Sequence, residues 1–382
     1  MLISAETDTK NDRHGEEILK AQFRAIATLC LLAFGGVHWR VGVTESLGPV
    51  LVTGGAGYIG SHAVLALLEA GHDVIVLDNL SSGFRETLNG KPKFVHGNVG
   101  DVGLVRDLIS RNKIRAVAHF AGSLLVEESV REPMRYYENN TANSRALISS
   151  AVAAGARHFL FSSTAAAYGV VDSASPISEE YTPQPINPYG WSKVMTEQML
   201  TDLASTGALN FGVLRYFNVA GADPLGRTGQ RTIGATHLIK VAVEAALGRR
   251  ESVSIFGDDY PTPDGTGVRD YIHVSDLATA HVHALSHLFG HPDESFLLNC
   301  GYGKGYSVKQ VLDAVDRVAG VKIERRIGGR RPGDPAMLIA DNKAIRSKLG
   351  WVPKYDNLEA IVRHSLDWER SLTLDNSNHS HG

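Results

Sequence analysis

A tyrosine and a lysine separated by one helical turn could carry acid–base chemistry in this chain. Tyr189 and Lys193 lie four residues apart in the segment NPYGWSK at 187–193, and side chains at positions i and i+4 share one face of a helix. A nearby ammonium favours the phenolate form of a tyrosine, which can then remove a proton from an alcohol. A further hydroxyl is expected from residues 162–164 at the end of a predicted strand, and Thr164 is the expected member. The same spacing also occurs on ordinary exposed helices, so the pair alone does not define an active site.

A glycine-rich turn near the start of the predicted fold favours a dinucleotide. Gly55, Gly57 and Gly60 match the pattern G-x-G-x-x-G, and Gly54 precedes them. Glycine permits a tight turn and lets the backbone approach a pyrophosphate, and the following helix offers free N–H groups to the phosphates. Asp78 ends the next predicted strand, 18 residues after Gly60. A carboxylate there accepts hydrogen bonds from a ribose diol and repels a 2′-phosphate, so the sequence predicts NAD in preference to NADP.

Alternating strand and helix patterns must position these groups. Apolar runs predict buried strands at 50–53, 74–77, 116–120, 159–163 and 211–216, and helical patterns lie between them, among them 59–70, 102–110, 134–154 and 189–203. Because this alternation requires crossover connections, we predict an α/β fold, a Rossmann doubly wound parallel sheet with a smaller α/β C-terminal domain. The alternation breaks near residue 220. We therefore expect a dinucleotide-binding domain at 49–219, with a return near 272–300, and a second domain at 220–375.

Composition excludes several classes of protein. The chain has 382 residues, 43% of them hydrophobic, and a net charge of −3, without the basic stripe of a nucleic-acid binder. Two cysteines are too few for a disulfide scaffold and suit a reducing cytoplasm. The apolar run at 25–37 is shorter than the roughly 20 residues of a membrane span, and it lacks a signal-peptide cleavage site. We therefore expect a cytoplasmic protein without nucleic-acid or membrane partners, and a weakly ordered extension at 1–48.

Four histidines in one short region raise the alternative of a metal site. They are His281, His283, His287 and His291. Spacings of four can chelate a metal ion on a helix, but no carboxylate or cysteine is set among them with a matching spacing. We expect no metal there, and histidines that face solvent or lie at the end of a helix.

Taken together, the motifs resemble the UDP-glucose 4-epimerases of the extended short-chain dehydrogenase/reductase superfamily. The resemblance covers the chain from about residue 49 to residue 368. The segments that carry it are TGGAGYIGSH at 53–62, LDNLSSG at 77–83, HFAG at 119–122, YYENN at 136–140, FLFSSTAAAYG at 159–169, NPYGWSK at 187–193, LRYFNVAGADP at 214–224, DDYPTPDGTGVRDYIHV at 258–274 and RRPGD at 330–334. This set is far more specific than the glycine turn or the tyrosine–lysine pair alone.

The resemblance implies a reaction. Tyr189, aided by Lys193 and by the positive nicotinamide ring, takes the proton of a sugar 4-hydroxyl as hydride passes to tightly held NAD⁺. The 4-keto sugar then presents its other face and the hydride returns, so that UDP-glucose and UDP-galactose are interconverted. The implied roles are galactose metabolism and the supply of exopolysaccharide precursors. Residues 220–375 would bind the UDP-sugar, and a homodimer would form through helices such as 134–154 and 189–203.

The resemblance also implies individual site residues. The catalytic residues are Tyr189, Lys193 and Thr164. The contacts to NAD are Gly54, Gly57, Tyr58, Ile59, Gly60, Asp78, Asn79, Leu80, Ser81, Ser82, Gly83, Asn98, Val99, Phe120, Ala121, Gly122, Ser123, Leu124, Asn139, Thr164, Tyr189, Lys193 and Phe217. The contacts to the UDP-sugar are Thr164, Asn218, His237, Arg269, Arg331, Asp334 and Leu338. Arginine is suited to a diphosphate because its planar fork forms paired, charge-assisted hydrogen bonds.

Three positions depart from the family pattern. Leu124 stands where a lysine is often found, which removes one cationic contact to the cofactor. Asn98 replaces an aspartate, and its amide oxygen could still accept a hydrogen bond from adenine. Leu338 stands where some glucose-restricted relatives carry a large tyrosine, so N-acetylated UDP-sugars could also fit.

Other functions remain open at this point. A 4-epimerase for UDP-xylose and UDP-arabinose, for UDP-GlcNAc or for UDP-glucuronate would carry the same motifs. A sugar-nucleotide 4,6-dehydratase commonly has Asp-Glu after the threonine, whereas Ala165 and Ala166 follow Thr164 here and argue against dehydration. A non-catalytic NAD-sensing protein would keep the glycine turn but would have no need of Tyr189 and Lys193.

Overall fold

The computed structural model describes residues 48–88, 92–171, 176–232, 234–331 and 333–379. Except for its last residue, the expected N-terminal extension at 1–48 lies outside these ranges, and so does Cys30. The weak order expected for that segment therefore stays a prediction.

A parallel sheet of seven strands forms the centre of the described chain. The strands of the chain are β1 (Val50–Thr53), β2 (Val74–Asp78), β3 (Lys93–His96), β4 (Ala116–His119), β5 (His158–Thr164), β6 (Asn210–Tyr216), β7 (Asn218–Ala220), β8 (Val253–Phe256), β9 (Val268–His273), β10 (Phe296–Cys300), β11 (Gly305–Ser307), β12 (Arg325–Gly328) and β13 (Met337–Leu338). The large sheet has the order β10-β6-β5-β4-β1-β2-β3. Strands β1, β4, β5 and β6 are buried along their whole length, as parallel strands covered on both faces must be.

Helices cover both faces of this sheet. They are α1 (Tyr58–Glu69), α2 (Val102–Asn112), α3 (Val126–Arg131), α4 (Pro133–Tyr136), α5 (Asn143–Ala153), α6 (Pro188–Ala204), α7 (Leu238–Ala246), α8 (Val274–Gly290), α9 (Val308–Ala319), α10 (Lys343–Leu349) and α11 (Leu358–His379). Helices α1 and α8 pack together on one face, and α2, α5 and α6 lie in the second core cluster on the other. The predicted Rossmann fold is confirmed.

The strand order places a cleft at one edge of the sheet. The chain runs outward from β1 to β2 and β3, and then returns to place β4 on the other side of β1. Open α/β sheets bind ligands at such a reversal, beside the carboxyl ends of the strands. The segments that follow β1, β4 and β5 therefore meet at the expected position of a site.

The helical pattern predicted over 134–154 falls on three consecutive helical segments, namely α4, a π-helical segment at Tyr137–Ala142 and α5. Within the expected return at 272–300, Val274–Gly290 forms α8 and β10 joins the large sheet. Periodicity alone missed the π-helical segment because an extra residue in one turn changes the register of the helix without changing its composition.

A smaller sheet follows β6 in the chain. Strand β9 is its centre and pairs with β7, β11 and β13, and a separate pair is formed by β8 and β12. In this sheet Asn218 pairs with Tyr271, and Leu338 pairs with Arg269. Three residues expected to contact substrate are thus carried by three neighbouring strands. The boundary at residue 220 stays a prediction.

Candidate active site

The glycine turn after β1 leaves no room for a side chain at Gly54 or Gly60, where a Cβ would meet backbone atoms. Gly54 has φ +70°, and a Cβ there would lie 2.5 Å from the backbone nitrogen of Ala121. A Cβ on Gly60 would lie 2.1 Å from the carbonyl oxygen of Gly54. Gly57 differs, because its Cβ position meets only that same oxygen, at 3.3 Å. Gly57 is the N-cap of α1, so the first N–H groups of this helix face an open cradle that suits a pyrophosphate.

Asp78 links that turn to the segment after β2. One carboxylate oxygen accepts a hydrogen bond from the backbone N–H of Ala56 at 2.9 Å, and the other accepts from Leu80 N–H at 2.8 Å. These bonds hold the buried carboxylate at the carboxyl end of β2, which is where a ribose diol must be bound. Leu80 has φ 57°, and Gly83 packs closely on Ala56, so the segment 79–83 turns tightly around this carboxylate. The described residues therefore fit NAD.

The segment after β4 is held by an asparagine that the sequence analysis did not select. Asn140 lies in the π-helical segment and is 3% exposed. Its side chain accepts from Ser123 N–H at 2.7 Å and donates to Ser123 O at 2.9 Å. The neighbouring Asn139, which was predicted, donates to the Ser123 hydroxyl at 2.9 Å. The motif YYENN contained both asparagines, but only the fold shows which of them fixes the backbone.

Two of the three departures can now be placed. The Asn98 side-chain oxygen accepts from Gly100 N–H at 2.7 Å, and because an amide oxygen has two lone pairs, the expected hydrogen bond from adenine stays a prediction. Leu124 is 40% exposed, so the position where a lysine is often expected is open to solvent. Val99 follows β3 and Phe120 directly follows β4, and their expected contacts to NAD stay predictions.

The three predicted catalytic side chains converge at the carboxyl end of β5. Asn187 caps α6 by accepting from Gly190 N–H at 2.8 Å, and this fixes the first turn, which carries Tyr189. The Tyr189 hydroxyl is hydrogen-bonded to Thr164. Lys193 is buried, and its Nζ donates to Ser162 O at 2.9 Å. The structure thus brings the predicted hydroxyl, phenol and ammonium together.

Burial sets the protonation of this group. It raises the pKa of Tyr189 above its ordinary value, and the hydrogen bond from Thr164 only opposes that shift. It lowers the pKa of Lys193 to about 8, against the attraction of Glu197. The protein groups alone therefore hold the phenol neutral. The lowered tyrosine pKa expected from the sequence requires the positive charge of the bound cofactor in addition.

A buried histidine network lies behind the glycine turn. His119 Nδ1 is 2.7 Å from the hydroxyl of Thr53, and its Nε2 is 2.8 Å from the hydroxyl of Ser144. Burial, followed by the charge of Lys193, lowers the pKa of His119 to about 3. The ring is therefore neutral and joins β1, β4 and α5 without adding charge. The HFAG motif contained this residue, but its partners are distant in sequence.

The predicted substrate residues fall into two groups. Asn218 and His237 line one cavity with Tyr271, and His237 Nδ1 lies 3.0 Å from the side-chain nitrogen of Gln230. In the second group, Arg269 forms an ion pair with Asp334. Leu338 adjoins Arg269 through the β9–β13 pairing, so this group lies on one small sheet.

Arg331 contacts an aromatic ring that the sequence analysis did not select. Its guanidinium carbon lies 3.8 Å from the ring centre of Phe256, which is 39% exposed at the end of β8. Its Nη2 is 3.7 Å from a carboxylate oxygen of Glu127 on α3. Arg331 therefore contacts both β8 and α3. The signal for Phe256 was weak, since a lone phenylalanine in a strand is usually part of a core.

The histidine region differs in part from its prediction. His281 is 1% exposed, and its Nδ1 lies 2.8 Å from Leu277 O on its own helix, so the expectation of a solvent-facing residue is wrong there. His287 and His291 stack at the end of α8, with ring centres 4.1 Å apart. Within the described ranges, no group of three or more histidine, cysteine, aspartate or glutamate side chains could hold a metal ion.

Among the residues that the structure describes, no helix is both long enough and apolar enough to cross a membrane.

The sheet edge, the glycine cradle and the converging Tyr189, Lys193 and Thr164 define an enzyme of the short-chain dehydrogenase/reductase class. The model of the NAD-dependent epimerase/dehydratase family matches residues 50–301. A UDP-glucose 4-epimerase of Azospirillum brasilense is 54% identical over 323 residues, which are 85% of this chain and 92% of that protein. The chain belongs to this family and, within it, to the UDP-glucose 4-epimerases, and the resemblance found in the sequence is confirmed.

Solved structures agree with this placement. A UDP-glucose 4-epimerase from Stenotrophomonas maltophila, with bound NAD and formylated UDP-arabinopyranose, has a TM-score of 0.83 at 39% identity and covers 86% of this chain and 99% of its own. A UDP-Glc/GlcNAc 4-epimerase from Campylobacter jejuni has a TM-score of 0.74 at 44% identity, with coverage of 85% and 99%. The prediction of NAD as cofactor is confirmed at the level of the family.

Proposed function

We propose that this protein catalyses the NAD-dependent, reversible interconversion of UDP-glucose and UDP-galactose by inversion at C4. The observation that carries the proposal is the convergence of Tyr189, Lys193 and Thr164 at the carboxyl end of β5. The glycine cradle and Asp78 lie at the same edge of the sheet. Relatives with this activity in their names match the chain over most of its length, and they confirm the function predicted from the sequence.

Each side chain has a distinct part in the reaction. NAD⁺ held by the glycine cradle and Asp78 would supply the hydride acceptor for C4, and its positive ring would favour the Tyr189 phenolate. Tyr189 takes the proton of the 4-hydroxyl and gives it back after the sugar has turned. Thr164 is within hydrogen-bonding reach of that phenol, so it can orient the reacting oxygen. Lys193 is fixed by Ser162 O and supplies a positive charge to the buried site.

Two sets of side chains would hold the substrate, one charged and one neutral. We propose that Arg269 and Arg331 bind the diphosphate and that Asn218 and His237 bind the nucleotide-sugar on the side of β7. The ion pair of Arg269 with Asp334 and the stacking of Arg331 on Phe256 hold both guanidinium groups in defined positions. Residues 220–375 would then form the substrate-binding domain. We also propose that the protein acts in the cytoplasm.

One assay tests this proposal directly. Purified protein is incubated separately with UDP-galactose, UDP-arabinose and UDP-GalNAc, and the products are resolved. UDP-galactose carrying deuterium at C4 should yield UDP-glucose that retains the deuterium, because the hydride is returned within one active site. Bound NAD without turnover of any UDP-sugar would favour a non-catalytic sensor. Loss of the deuterium to water or to an added acceptor would contradict the mechanism.

The structure gives no support to dehydration. Ala165 is buried directly after Thr164 in a cluster with Tyr168 and Phe217. Ala166 follows, so methyl groups occupy the two positions after the threonine where a dehydratase commonly has its acid and base. Without those groups at these positions, removal of water across C5 and C6 has no proton donor and acceptor beside Thr164.

A second substrate class is favoured by Leu338. Its side chain packs against the cluster that contains Phe217 and Tyr168, at the edge of the predicted sugar position. The Campylobacter jejuni relative acts on both UDP-Glc and UDP-GlcNAc according to its name. We propose that this chain also accepts N-acetylated UDP-sugars.

Replacing Leu338 by tyrosine should reduce activity on N-acetylated sugars. The tyrosine ring is larger than the leucine side chain and should occupy the space for the N-acetyl group, so kcat/KM for UDP-GalNAc should fall about 10- to 100-fold relative to that for UDP-galactose. Leu338→Met, with a similar volume, should preserve both activities. Wild-type protein that converts UDP-galactose but leaves UDP-GalNAc unchanged would refute the second substrate class and leave the first intact.

An exposed apolar face supports the proposed homodimer. Val126, Val130 and Met134 follow one another at spacings of four, and they are 43%, 62% and 74% exposed. Trp191 and Met195 on the neighbouring α6 are 41% and 40% exposed, and α6 packs against α3 and α4. Such a contiguous apolar surface is typical of a protein–protein interface. We propose that two copies of the chain meet through this face.

Two acidic substitutions on this face should separate the copies. Val130→Glu with Met134→Glu would bury unpaired carboxylates, which costs more than about 3 kcal/mol and weakens association by about 100-fold or more. Sedimentation velocity should show a dimer for wild type and a monomer for the variant. Val352→Glu, at a residue that is 72% exposed elsewhere on the surface, is the matched control. A wild type that sediments as a monomer would exclude the proposed dimer.

A further inference from the structure

A buried ion pair lies one helical turn beyond Lys193. Tyr189, Lys193 and Glu197 are spaced by four residues and therefore share one face of α6. Glu197 is 5% exposed and Arg215, on β6, is 2% exposed. The guanidinium contacts both carboxylate oxygens, with Nε at 3.0 Å from Oε1 and Nη2 bound to Oε2. The Ser163 hydroxyl on β5 donates to the same carboxylate.

The pair is held from the other side of Arg215 as well. The guanidinium carbon lies 4.8 Å from the ring centre of Tyr168. The Tyr168 hydroxyl donates to the Asn299 side chain on β10 at 2.7 Å. Glu197 is thus fixed by contacts to β5 and β6, and through Arg215 to β10. Removing two charges from water costs free energy unless good geometry and further hydrogen bonds compensate for it, and this pair has both.

Among the charged groups around Lys193, Glu197 is the one that favours its protonated form. On β4, His119 is held neutral by burial. On β6, the hydroxyl of Tyr216 is bound to Ser162, and burial keeps it protonated. On α3 and α4, Glu128 and Arg135 neutralise each other at the surface, at 2.9 Å. Arg215 is a cation, but its charge is compensated by Glu197 itself.

We infer that Glu197, held by Arg215 and Ser163, is a positioning residue that keeps Lys193 protonated and directed toward Tyr189. The inference rests on the proposed function, since it assigns the third residue of the α6 face to the same reaction. Its physical basis is that burial opposes the ammonium form of Lys193, whereas the carboxylate one turn away stabilises it. The carboxylate acts through Lys193 and does not touch the substrate.

The test is the pH dependence of turnover in Glu197→Gln. Burial holds the pKa of Lys193 near 8 in the presence of Glu197, so loss of the carboxylate should move the alkaline limb of kcat to lower pH. A shift by about one unit removes about nine-tenths of the protonated lysine above the new limb. We therefore expect kcat to fall about tenfold more on the alkaline side than near neutral pH, with KM little changed.

A second variant guards against misfolding. Glu197→Gln leaves the buried Arg215 without its anion, which is strongly destabilising, whereas Glu197→Gln with Arg215→Gln removes both charges and keeps groups that can form hydrogen bonds. This double variant should fold, and its alkaline limb should lie between those of wild type and the single variant. The control is Asp316→Asn, which breaks a half-buried pair with Arg325 between α9 and β12 and should lower the melting temperature without moving the limb.

The outcomes separate the inference from the proposed function. A wild type inactive on UDP-galactose would overturn the function itself. An active wild type whose limb is unchanged in both variants, or a kcat loss equal at all pH values, would show that the Glu197–Arg215 pair is merely structural and overturn the inference.

Discussion

Replacing Tyr189 by phenylalanine should lower kcat about 1,000-fold, within the range of about 10²- to 10⁴-fold that a positioned acid–base group contributes. The change removes one oxygen atom from a side chain that is fixed by the capped first turn of α6. The Thr164 hydroxyl and the Lys193 ammonium remain, but neither can accept the 4-hydroxyl proton, because Thr164 is a very weak base and Lys193 already carries its proton. The measurement is the conversion of UDP-galactose at saturating substrate.

NAD binding distinguishes this loss from a loss of structure. The glycine cradle and Asp78 lie on other connections of the sheet and are unchanged, so loss of the one hydrogen bond that Tyr189 could give NAD should raise the dissociation constant less than about tenfold. Tyr181→Phe, at a residue that is 39% exposed, should leave kcat unchanged. A Tyr189→Phe protein with more than a tenth of wild-type kcat would require another base, and the assignment would then be wrong.

The elements of this site were accessible from the sequence because their signals are local. A strand, a glycine turn and a helix occur in sequence over 50–69, and two constraints are set within the turn itself: Gly54 has φ +70°, and a Cβ on Gly60 would meet the carbonyl oxygen of Gly54. The spacing of Tyr189 and Lys193 is likewise a property of one helix. Such signals do not depend on what else packs against the element, and for that reason they survive in the structure.

The parts that escaped sequence reasoning depend on pairs that are far apart in the chain. Asn140 fixes the backbone of Ser123 only because the π-helical segment turns it toward the end of β4. From the sequence alone, Glu197 is indistinguishable from a polar residue on an exposed helix. The structure shows that Arg215 on β6 pairs with it. His281 occurs among histidines that reach the surface, yet its ring packs against those of Phe120 and Tyr216 and is buried. Burial of a polar residue is set by its tertiary partners, and no local pattern encodes them.

The protonation of Tyr189 and Lys193 also depends on tertiary burial, which the sequence does not show. From the sequence, the Lys193 ammonium and the positive nicotinamide ring are together expected to favour the Tyr189 phenolate. In the structure, burial acts on both groups in the opposite sense, raising the pKa of Tyr189 and lowering that of Lys193. With a pKa of about 8, Lys193 still carries its proton near neutral pH, whereas the raised pKa of Tyr189 keeps its phenol neutral in the protein without its cofactor. The Tyr189 phenolate would therefore form when the positive ring of NAD⁺ is bound beside it, so that acid–base chemistry depends on cofactor binding.

Asp78→Ala should weaken NAD binding by about 100-fold. Hydrogen bonds to a charged group contribute about 1.5–3 kcal/mol each, and each 1.4 kcal/mol is a factor of ten in affinity. Besides its expected bonds to the ribose, the Asp78 carboxylate accepts from the N–H groups of Ala56 and Leu80, so its loss also loosens the glycine turn. Calorimetric titration of cofactor-free protein with NAD measures the effect.

Two further variants make this result specific to the ribose position. Asp78→Asn keeps an acceptor but removes the charge that repels a 2′-phosphate, so the ratio of NADP to NAD affinity should rise although NAD affinity falls. Asp107→Ala, which removes an exposed pair with Arg111 on α2 at 2.8 Å, should bind NAD as wild type does. Unchanged NAD affinity in Asp78→Ala would show that the ribose binds elsewhere. Asp78 would then not determine the preference for NAD over NADP.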